Sequence, residues 1–176
     1  NNFEAQLSLS NAQALPGTNI ILPLHLVSNE EVGGIQFTIA SVATGSGLLT
    51  PVGIESMYDC FTASFNEVNG QFLGIIFSLE GCAFEPGDNH VANLEYYVSP
   101  NANVGSSINL YFADTIVSDP GGNEIPSFGL DAIVTLGALG DANSDGEINV
   151  LDAVVIVNFA LYIEEPSDLE YWASDI

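Results

Sequence analysis

The sequence predicts a mainly β fold, a β-sandwich over residues 1–137 followed by a small α-helical module over residues 138–176. Short alternating or apolar runs separated by turn residues recur through the first part, as in proteins built from two packed sheets. After Gly137 the pattern changes to a polar loop and then a helical apolar run. The 176 residues are enough for one full domain of about 130–140 residues and a small appendage.

Strand-like runs are expected throughout the first part, and turn residues lie between them. The runs are Leu7–Leu9, Asn19–Val27, Gly33–Ala40, Cys60–Phe65, Gln71–Ser78, His90–Val98, Ser107–Phe112 and Ala132–Leu136. The clearest hairpin signal is Asn69-Gly70, because both residue types accept the positive φ of a two-residue turn. Aromatic side chains are expected to fill the core, namely Phe37, Phe61, Phe65, Phe72, Phe77, Tyr97 and Phe112.

The charge balance limits the classes of partner. The chain contains 23 acidic residues and neither lysine nor arginine, which gives a formal charge of -23. Nucleic acids and anionic membrane surfaces are disfavoured, since both are bound through basic side chains. No apolar run reaches the roughly 18–20 residues that span a bilayer. The chain opens with Asn1 and no apolar leader, so we expect a mature or excised secreted or cell-surface protein.

The two cysteines and two histidines are the other residues with distinctive chemistry. We expect Cys60 and Cys82 to form a disulfide, as paired cysteines of secreted proteins commonly do, with two buried free thiols as the alternative. His25 is expected on a strand and His90 in a solvated turn. No zinc spacing, nucleophile elbow or phosphate loop accompanies them, and no spacing singles out one pair of carboxylates. No catalytic residues are predicted, and the protein is not expected to be an enzyme.

Residues 141–152 have the spacing of a calcium loop. A hard cation of this kind takes six to eight oxygens at about 2.3–2.6 Å. Gly146 allows the sharp turn at the sixth position, and Ile148 at the eighth is expected to point into the core. An Asx-rich turn that caps a helix is the alternative. The candidate ligands, at positions 1, 3, 5, 7, 9 and 12, are Asp141, Asn143, Asp145, the backbone carbonyl of Glu147, Asn149 and Asp152.

The helical run after this loop, Leu151–Tyr162, is apolar around most of its circumference. Such a helix has to be covered on more than one side, by a missing second half, by the β-domain or by another molecule. A second helical stretch is expected at Ser167–Ala173. The candidate partner-binding residues on the first helix are Val150, Leu151, Val154, Val155 and Phe159.

The loop and helix resemble the first repeat of a dockerin, a module of paired calcium loops. The dockerin signature Asp-x-Asn-x-Asp-Gly-x-Ile-Asn-x-x-Asp is met at every position from Asp141 to Asp152. Asp175 stands where the first ligand of a second loop would fall, and the sequence ends one residue later, so the second repeat is expected to be cut at its start. The resemblance implies bound Ca²⁺ and a cohesin-type partner. Val150 and Leu151 replace the hydroxylic residues of many dockerins, which implies a hydrophobic recognition surface.

Residues 3–137 resemble a cohesin, the nine-stranded jelly-roll partner of dockerins. The resemblance is carried by Leu-Pro-Gly-Thr-Asn-Ile at 15–20, Val-Gly-Gly-Ile-Gln-Phe-Thr-Ile at 32–39, Pro-Gly at 86–87 before a strand ending in Leu-Glu-Tyr-Tyr-Val at 94–98, and the turn at 118–126. It implies a cohesin-like jelly-roll β-sandwich whose role is to bind another protein. Carbohydrate-binding sandwiches share such patterns.

The two resemblances together predict a non-enzymatic, extracellular structural protein that works by protein–protein interaction. The calcium-ordered tail is expected to dock onto a cohesin-like domain. The joint at residues 138–140 is too short to favour self-docking, so contacts between copies would run head to tail and form a filament. The alternative is a carbohydrate-binding module or cell-adhesion protein that carries a dockerin for attachment to a scaffold, with polysaccharide as a partner. The candidate sugar-binding aromatics are then Tyr58, Tyr96, Tyr97 and Tyr111, most of which are expected in the core or in cross-strand pairs, and the one tryptophan, Trp172, lies in the tail.

Overall fold

The computed structural model describes residues 5–42 and 48–174, and in them twelve strands precede two helices. The strands are β1 (Ala5–Leu9), β2 (Ala12–Ala14), β3 (Asn19–Ser28), β4 (Gly34–Val42), β5 (Leu49–Ser56), β6 (Thr62–Val68), β7 (Gln71–Phe77), β8 (Gly87–Val98), β9 (Ser107–Ser118), β10 (Glu124–Ile125), β11 (Ser127–Leu130) and β12 (Ala132–Leu136). The helices are α1 (Val150–Ala160) and α2 (Asp168–Ser174). Neither helix is long and apolar enough to cross a membrane.

The strands form two sheets that enclose one core. The first sheet has the order β11-β1-β3-β8-β5, and the second has the order β2-β12-β9-β4-β7-β6, with β10 paired to β9 beside it. Pairing is antiparallel except between β1 and β11 and between β2 and β12. Because β1 and β2 follow each other in the chain but pair in different sheets, the first segment of the chain ties the two layers together.

The β6–β7 hairpin forms as the sequence predicts. Val68 pairs with Gln71, so the turn between them contains only Asn69 and Gly70. Both turn residues have positive φ, 53° for Asn69 and 78° for Gly70. This combination is the two-residue turn whose twist matches that of the flanking strands. The prediction of a hairpin at this position is confirmed.

The core lies between the sheets, and strand alternation decides which aromatic residues enter it. Phe37, Phe61 and Phe72 are buried as expected. Tyr97 was expected in the core, but it is 36% exposed while its neighbour Tyr96 is only 2% exposed. Successive side chains of a strand point to opposite faces, so only one of two adjacent tyrosines can face inward. The prediction of Tyr97 as a core residue is wrong, and Tyr96 occupies the core instead.

Four strands were not expected from the sequence: β2, β5, β10 and β11. In β5 the pairing with β8 shifts between Pro51 and Gly53, so a bulge interrupts the alternation that signals a strand. The others are two to four residues long, which is too short for periodicity to register. Cys60 was expected at the start of β6, but that strand begins at Thr62. The division into two domains after residue 137 stays a prediction.

The C-terminal segment is held together by α2. The Gly140 N–H donates to the Ala173 carbonyl at 2.7 Å, and Ala173 is buried. Trp172 packs so closely on Gly137 that a Cβ at that glycine would overlap the indole ring. The helix α2 therefore anchors the joint between the last strand and the polar loop.

Candidate calcium loop and docking surfaces

The polar loop is closed on itself by the carboxylate of its last residue. Asp152 Oδ1 accepts the Asn143 N–H at 3.2 Å, and Asp152 Oδ2 accepts the Asn149 N–H at 2.7 Å. These backbone hydrogen bonds, the one from Asn149 foremost, hold the pKa of Asp152 below its usual range. The Asp152 side chain, at position 12, thus connects the beginning of the loop, the end of the loop and the helix that follows it.

The first residue of the loop organises its sharp turn. Asp141 Oδ1 accepts the Asp145 N–H at 3.0 Å, and Asp141 Oδ2 accepts the Gly146 N–H at 2.9 Å. Gly146 has a φ of 89°, a conformation that favours glycine. Asn143 Oδ1 also accepts the Asp145 N–H, at 3.0 Å. The side chains of positions 1 and 3 therefore fold over the same stretch of backbone.

Helix α1 begins at the end of this loop with a reciprocal cap. Asn149 is the N-cap, and its Oδ1 accepts the Leu151 N–H at 2.8 Å. Asp152, in the first turn of the helix, accepts a hydrogen bond from the Asn149 N–H and so completes a capping box. The two predicted ligands at positions 9 and 12 are therefore also the residues that start the helix.

The chemistry of the loop fits a hard cation. Asp141 and Asp152 are each only 2% exposed, and the chain contains no lysine or arginine that could neutralise them. Buried carboxylates are costly unless they are paired or bind a metal. Within residues 5–42 and 48–174, no three His, Cys, Asp or Glu side chains are arranged as a metal-binding group. A loop of this kind also uses asparagine and backbone oxygens, so we regard calcium as a proposal that the donor set supports.

Two residues of the C-terminal module lie elsewhere than the sequence predicts. Ile148 was expected to point into the core, but it is an exposed residue beside Gly140. Phe159 was expected to bind a partner, but it is buried, and Val155 is half-buried. Val155 and Phe159 lie on the same side of α1 as the buried Asp152, three and seven residues further along the helix. Asp175, the expected start of a second loop, lies outside the described residues.

The outer face of α1 is apolar and uncharged. Val150 is 73% exposed and Leu161, at the C-cap, is 63% exposed, with Val154 and Val157 in line between them. Leu151 widens this stripe and is also exposed. The one charged residue within α1, Asp152, is turned inward. We call Val150, Leu151, Val154, Val157 and Leu161 the α1 stripe. The helix makes no extensive contact with any described strand, so its own sandwich leaves the stripe uncovered.

A second exposed apolar surface lies on the sandwich, and the sequence analysis did not identify it. On the second sheet, Ser64, Ile75, Gln36 and Ile116 are successive cross-strand partners on β6, β7, β4 and β9. The neighbouring row consists of Asn66, Leu73, Thr38 and Asp114. We call these two rows the β7 face. Leu73 and Ile75 alternate with the buried Phe72 and Ile76, so β7 is apolar on both sides.

The β7 face is hollowed rather than flat. Two depressions of about 250 Å³ and 220 Å³ lie side by side, and both are lined by Gln36 and Ile75. Phe65 contributes to the first depression, and Phe77 and Ile116 contribute to the second. Of the two rows, only Asp114, at one end, has a charged side chain. A shallow apolar trough of this kind can receive the ridge of side chains on a helix.

The two histidines form a pair on the opposite sheet. His25 and His90 are cross-strand partners on β3 and β8, and their rings stack at 5.1 Å with an interplanar angle of 8°. His25 Nδ1 lies 3.1 Å from Asp88 Oδ1, and His90 Nε2 lies 2.8 Å from Asn93 Oδ1. His90 was expected in a turn, but it lies within β8. Among the described residues, no further His, Cys, Asp or Glu side chains complete a metal-binding group with this pair.

The candidate sugar-binding aromatics do not form one surface. Tyr96 is buried in the core, and Trp172 is half-buried against Gly137. Tyr58 packs edge-on against Phe84, with ring centroids 5.2 Å apart. Binding of polysaccharide stays an untested alternative.

Solved structures resemble the sandwich. The sequence matches no protein-family model and no curated protein. A cohesin module from a family 33 glycoside hydrolase of Clostridium perfringens superposes with a TM-score of 0.65 at 16% identity, over 77% of this chain and 98% of that chain. A chain of a type I cohesin–dockerin complex from Clostridium thermocellum gives 0.64 at 12% identity, over 78% of this chain and 96% of that chain.

A cohesin outside the cellulosome is equally similar. The non-cellulosomal cohesin from the archaeon Archaeoglobus fulgidus gives a TM-score of 0.61 at 14% identity, over 77% of this chain and 92% of that chain. At such identities the likeness establishes the fold alone. The mainly β prediction and the cohesin-like jelly-roll are confirmed as a fold, and the dockerin-like tail stays a prediction.

Proposed function

We propose that this protein is a non-enzymatic, extracellular structural protein in which calcium holds a dockerin-like tail ready to dock onto a cohesin-like sandwich. The observation that carries the proposal is the α1 stripe, an exposed apolar helix surface on a chain of formal charge -23. Apolar surface of this kind marks sites of protein contact. The proposed docking surface for the stripe is the β7 face of another copy of the chain.

Charge restricts which surfaces of two copies can meet. Each copy carries a formal charge of -23, so two copies repel one another wherever their carboxylates approach. The α1 stripe contains only Val and Leu, and the centre of the β7 face contains Ile75, Gln36 and Ile116. Contact between the stripe and the centre of the β7 face buries apolar area and leaves Asp114, the one carboxylate of the two rows, at the end of the face. Burial of apolar area provides the free energy of association.

The position of the stripe favours docking between copies. The last strand ends at Leu136 and α1 begins at Val150, and the joint between them is anchored by the Gly140–Ala173 hydrogen bond. An anchored joint of this length disfavours a return of α1 to the sandwich of its own chain. Contacts between different surfaces of successive copies repeat head to tail. They produce a filament unless the copies close into a ring.

Calcium has a structural role in this proposal. Asp141, Asn143, Asp145, Asn149 and Asp152 would hold the ion through side-chain oxygens, and Glu147 through its backbone carbonyl. The ion neutralises the two buried carboxylates at the ends of the loop. The capping residues Asn149 and Asp152 then stay in place, so α1 keeps its first turn and its orientation. Extracellular calcium loops work at the high calcium concentrations found outside cells, which agrees with a secreted or cell-surface location.

The test is the size of the assembly with and without calcium. In millimolar calcium, we expect multimers by sedimentation and filaments by electron microscopy, and we expect a chelator to return the protein to single copies. Val154→Asp should abolish assembly in calcium, because it places a charge at the middle of the stripe. Ile21→Asp is the matched control, since Ile21 is 61% exposed on the other sheet and should leave assembly unchanged. Multimers that survive both the chelator and Val154→Asp would contradict the proposal.

A carbohydrate-binding module or adhesin that carries a dockerin is the competing function. It predicts retention of the protein on insoluble polysaccharide and no self-assembly at any calcium concentration. A pull-down on cellulose and chitin, run on the same samples, separates the two functions.

A further inference from the structure

The two cysteines lie at the base of the β6–β7 hairpin, on either side of it. Cys60 lies two residues before β6, and Cys82 lies five residues after β7. The sequence predicts a disulfide between them, whereas the structure holds two free thiols, both half-buried and packed against the hydrophobic core. Their thiols are hydrogen-bonded to each other, which raises the pKa of Cys60.

An aromatic stack keeps the two segments together. Phe61 follows Cys60 directly, and Phe84 comes two residues after Cys82. The rings of Phe61 and Phe84 stack at a centroid distance of 3.9 Å and an interplanar angle of 13°. The Val32 and Phe84 backbones exchange hydrogen bonds of 3.0 Å and 2.8 Å, so the second segment is also tied to the chain before β4. The thiols are therefore neighbours because folded structure on both sides positions them.

We propose that Cys60 and Cys82 form a disulfide that closes a covalent ring around the β6–β7 hairpin and fixes this edge of the β7 face. One thiolate attacks a sulfur of an external disulfide and releases one external thiol. The other thiolate then attacks the mixed disulfide, which forms the Cys60–Cys82 bond and releases the second external thiol. The external disulfide is reduced by two electrons, and the two cysteines are oxidised by the same two.

The ring contains residues that the docking surface uses. Strand β6 is the last strand of its sheet, so β7 alone, within residues 5–42 and 48–174, holds it by backbone pairing. Its residues Ser64 and Asn66 begin the two rows of the β7 face, and Leu73 and Ile75 on β7 continue them. A cross-link at the base of the hairpin opposes separation of the edge strand β6 from β7. The consequence for docking rests on the proposed function, but the cross-link itself does not.

The cross-link is tested first by mass and by amide exchange. After incubation with excess oxidised glutathione and removal of the reagent, we expect the intact chain to be about 2 Da lighter than after reduction, since two hydrogens are lost. We also expect slower amide exchange across residues 62–77 and an unfolding temperature higher by several degrees. The double variant Cys60→Ser, Cys82→Ser is the control, and the reductant should leave its exchange and unfolding unchanged. Two free thiols in the folded, treated protein would overturn the proposal.

Docking is measured separately on oxidised and reduced samples in calcium. Reduction should weaken assembly of the wild-type chain several-fold and have no effect on the double variant. A disulfide that forms while exchange across residues 62–77 stays equal in both redox states would overturn the ring's role in fixing this edge. If neither sample assembles, the proposed function fails, and the mass and exchange results still decide whether the cross-link exists.

Discussion

Asp152 Oδ2 accepts the Asn149 N–H at 2.7 Å, while Asn149 Oδ1 caps the first turn of α1 by accepting the Leu151 N–H. The loop that would hold calcium and the helix that would bind a partner are therefore joined through one pair of side chains. A change in the loop reaches the α1 stripe because the stripe begins at the residue after Asn149. In the proposed function, coupling of this kind would make docking depend on the ion without any contact between ion and partner.

Removal of the charge at position 12 should weaken calcium binding. We expect Asp152→Asn to lower calcium affinity at least tenfold, because a carboxylate ligand with two backbone hydrogen bonds is replaced by a neutral amide. Glu147→Gln is the matched control, because it also removes one negative charge but leaves the backbone carbonyl of position 7 in place. Calorimetric titration of both variants with calcium measures the difference. Equal affinities would mean that Asp152 is a helix cap and not a ligand.

Tyr162 occupies a position where glycine is favoured. It follows the C-cap Leu161, has a φ of 55° and is 93% exposed. Left-handed backbone costs a residue with a Cβ about 1 kcal/mol relative to glycine. We therefore expect Tyr162→Gly to stabilise the end of α1 by about this amount. Tyr162→Ala keeps the Cβ and should give no such gain, so slower amide exchange at Tyr162 and Ile163 in the glycine variant alone is the expected result.

Gly74 makes room for a fully buried ring of the sandwich core. A Cβ at this residue would overlap the ring of Phe37 on the neighbouring strand, and Phe37 is fully buried. Because a close-packed core cannot absorb this overlap, Gly74→Ala should lower the free energy of unfolding by about 1–3 kcal/mol. Ser64→Ala, on the exposed face of β6, serves as the control. Chemical denaturation of the two variants is the measurement, and equal midpoints would contradict the packing.

Acid should loosen the turn between β9 and β10. Hydrogen bonds from the Asn123 side chain and backbone, of 2.8 Å each, hold the pKa of Asp119 below its usual range. A depressed folded-state pKa contributes stability above the unfolded pKa of about 4, and this contribution is lost as the pH falls through the folded value. We expect the protection factor of the Asn123 amide, which is the intrinsic exchange rate at each pH divided by the observed rate, to fall in that range. Asp119→Asn should remove the pH dependence, whereas a response equal to that of the wild type would exclude Asp119 as its cause.

Local sequence preferences were sufficient to predict some elements. They failed where the prediction depended on which face of a strand or helix packs against the rest of the fold. Asn69-Gly70 determined a turn through its own backbone preferences, and the predicted loop spacing led directly into a capped helix at Asn149. For Tyr96 and Tyr97 the alternation is clear, but which of the two faces inward depends on the register with β3 and β5. For Phe159 the helical period gives apolar faces without saying which of them will be buried.

The β7 face was missed for a similar reason. Leu73 and Ile75 are apolar residues in an apolar strand, and the sequence alone cannot distinguish an exposed isoleucine from a buried one. Only the pairing of β7 with β4 and β6 shows that Ile75, Gln36 and Ser64 share the outer surface. The signal that could have found this surface is a run that is apolar at both odd and even positions, since a strand with one solvated face alternates apolar and polar residues.

The most direct test of the central claim is a mixing experiment with two variants, each lacking one of the two surfaces. Val154→Asp retains the β7 face, and Ile75→Asp retains the α1 stripe. In millimolar calcium each variant alone should sediment as a single copy, and an equimolar mixture should form one-to-one dimers that do not grow, since each dimer joins the one intact surface of each variant. Chelation should dissolve these dimers. If the mixture stays monomeric while the wild-type protein assembles, α1 does not dock onto the β7 face.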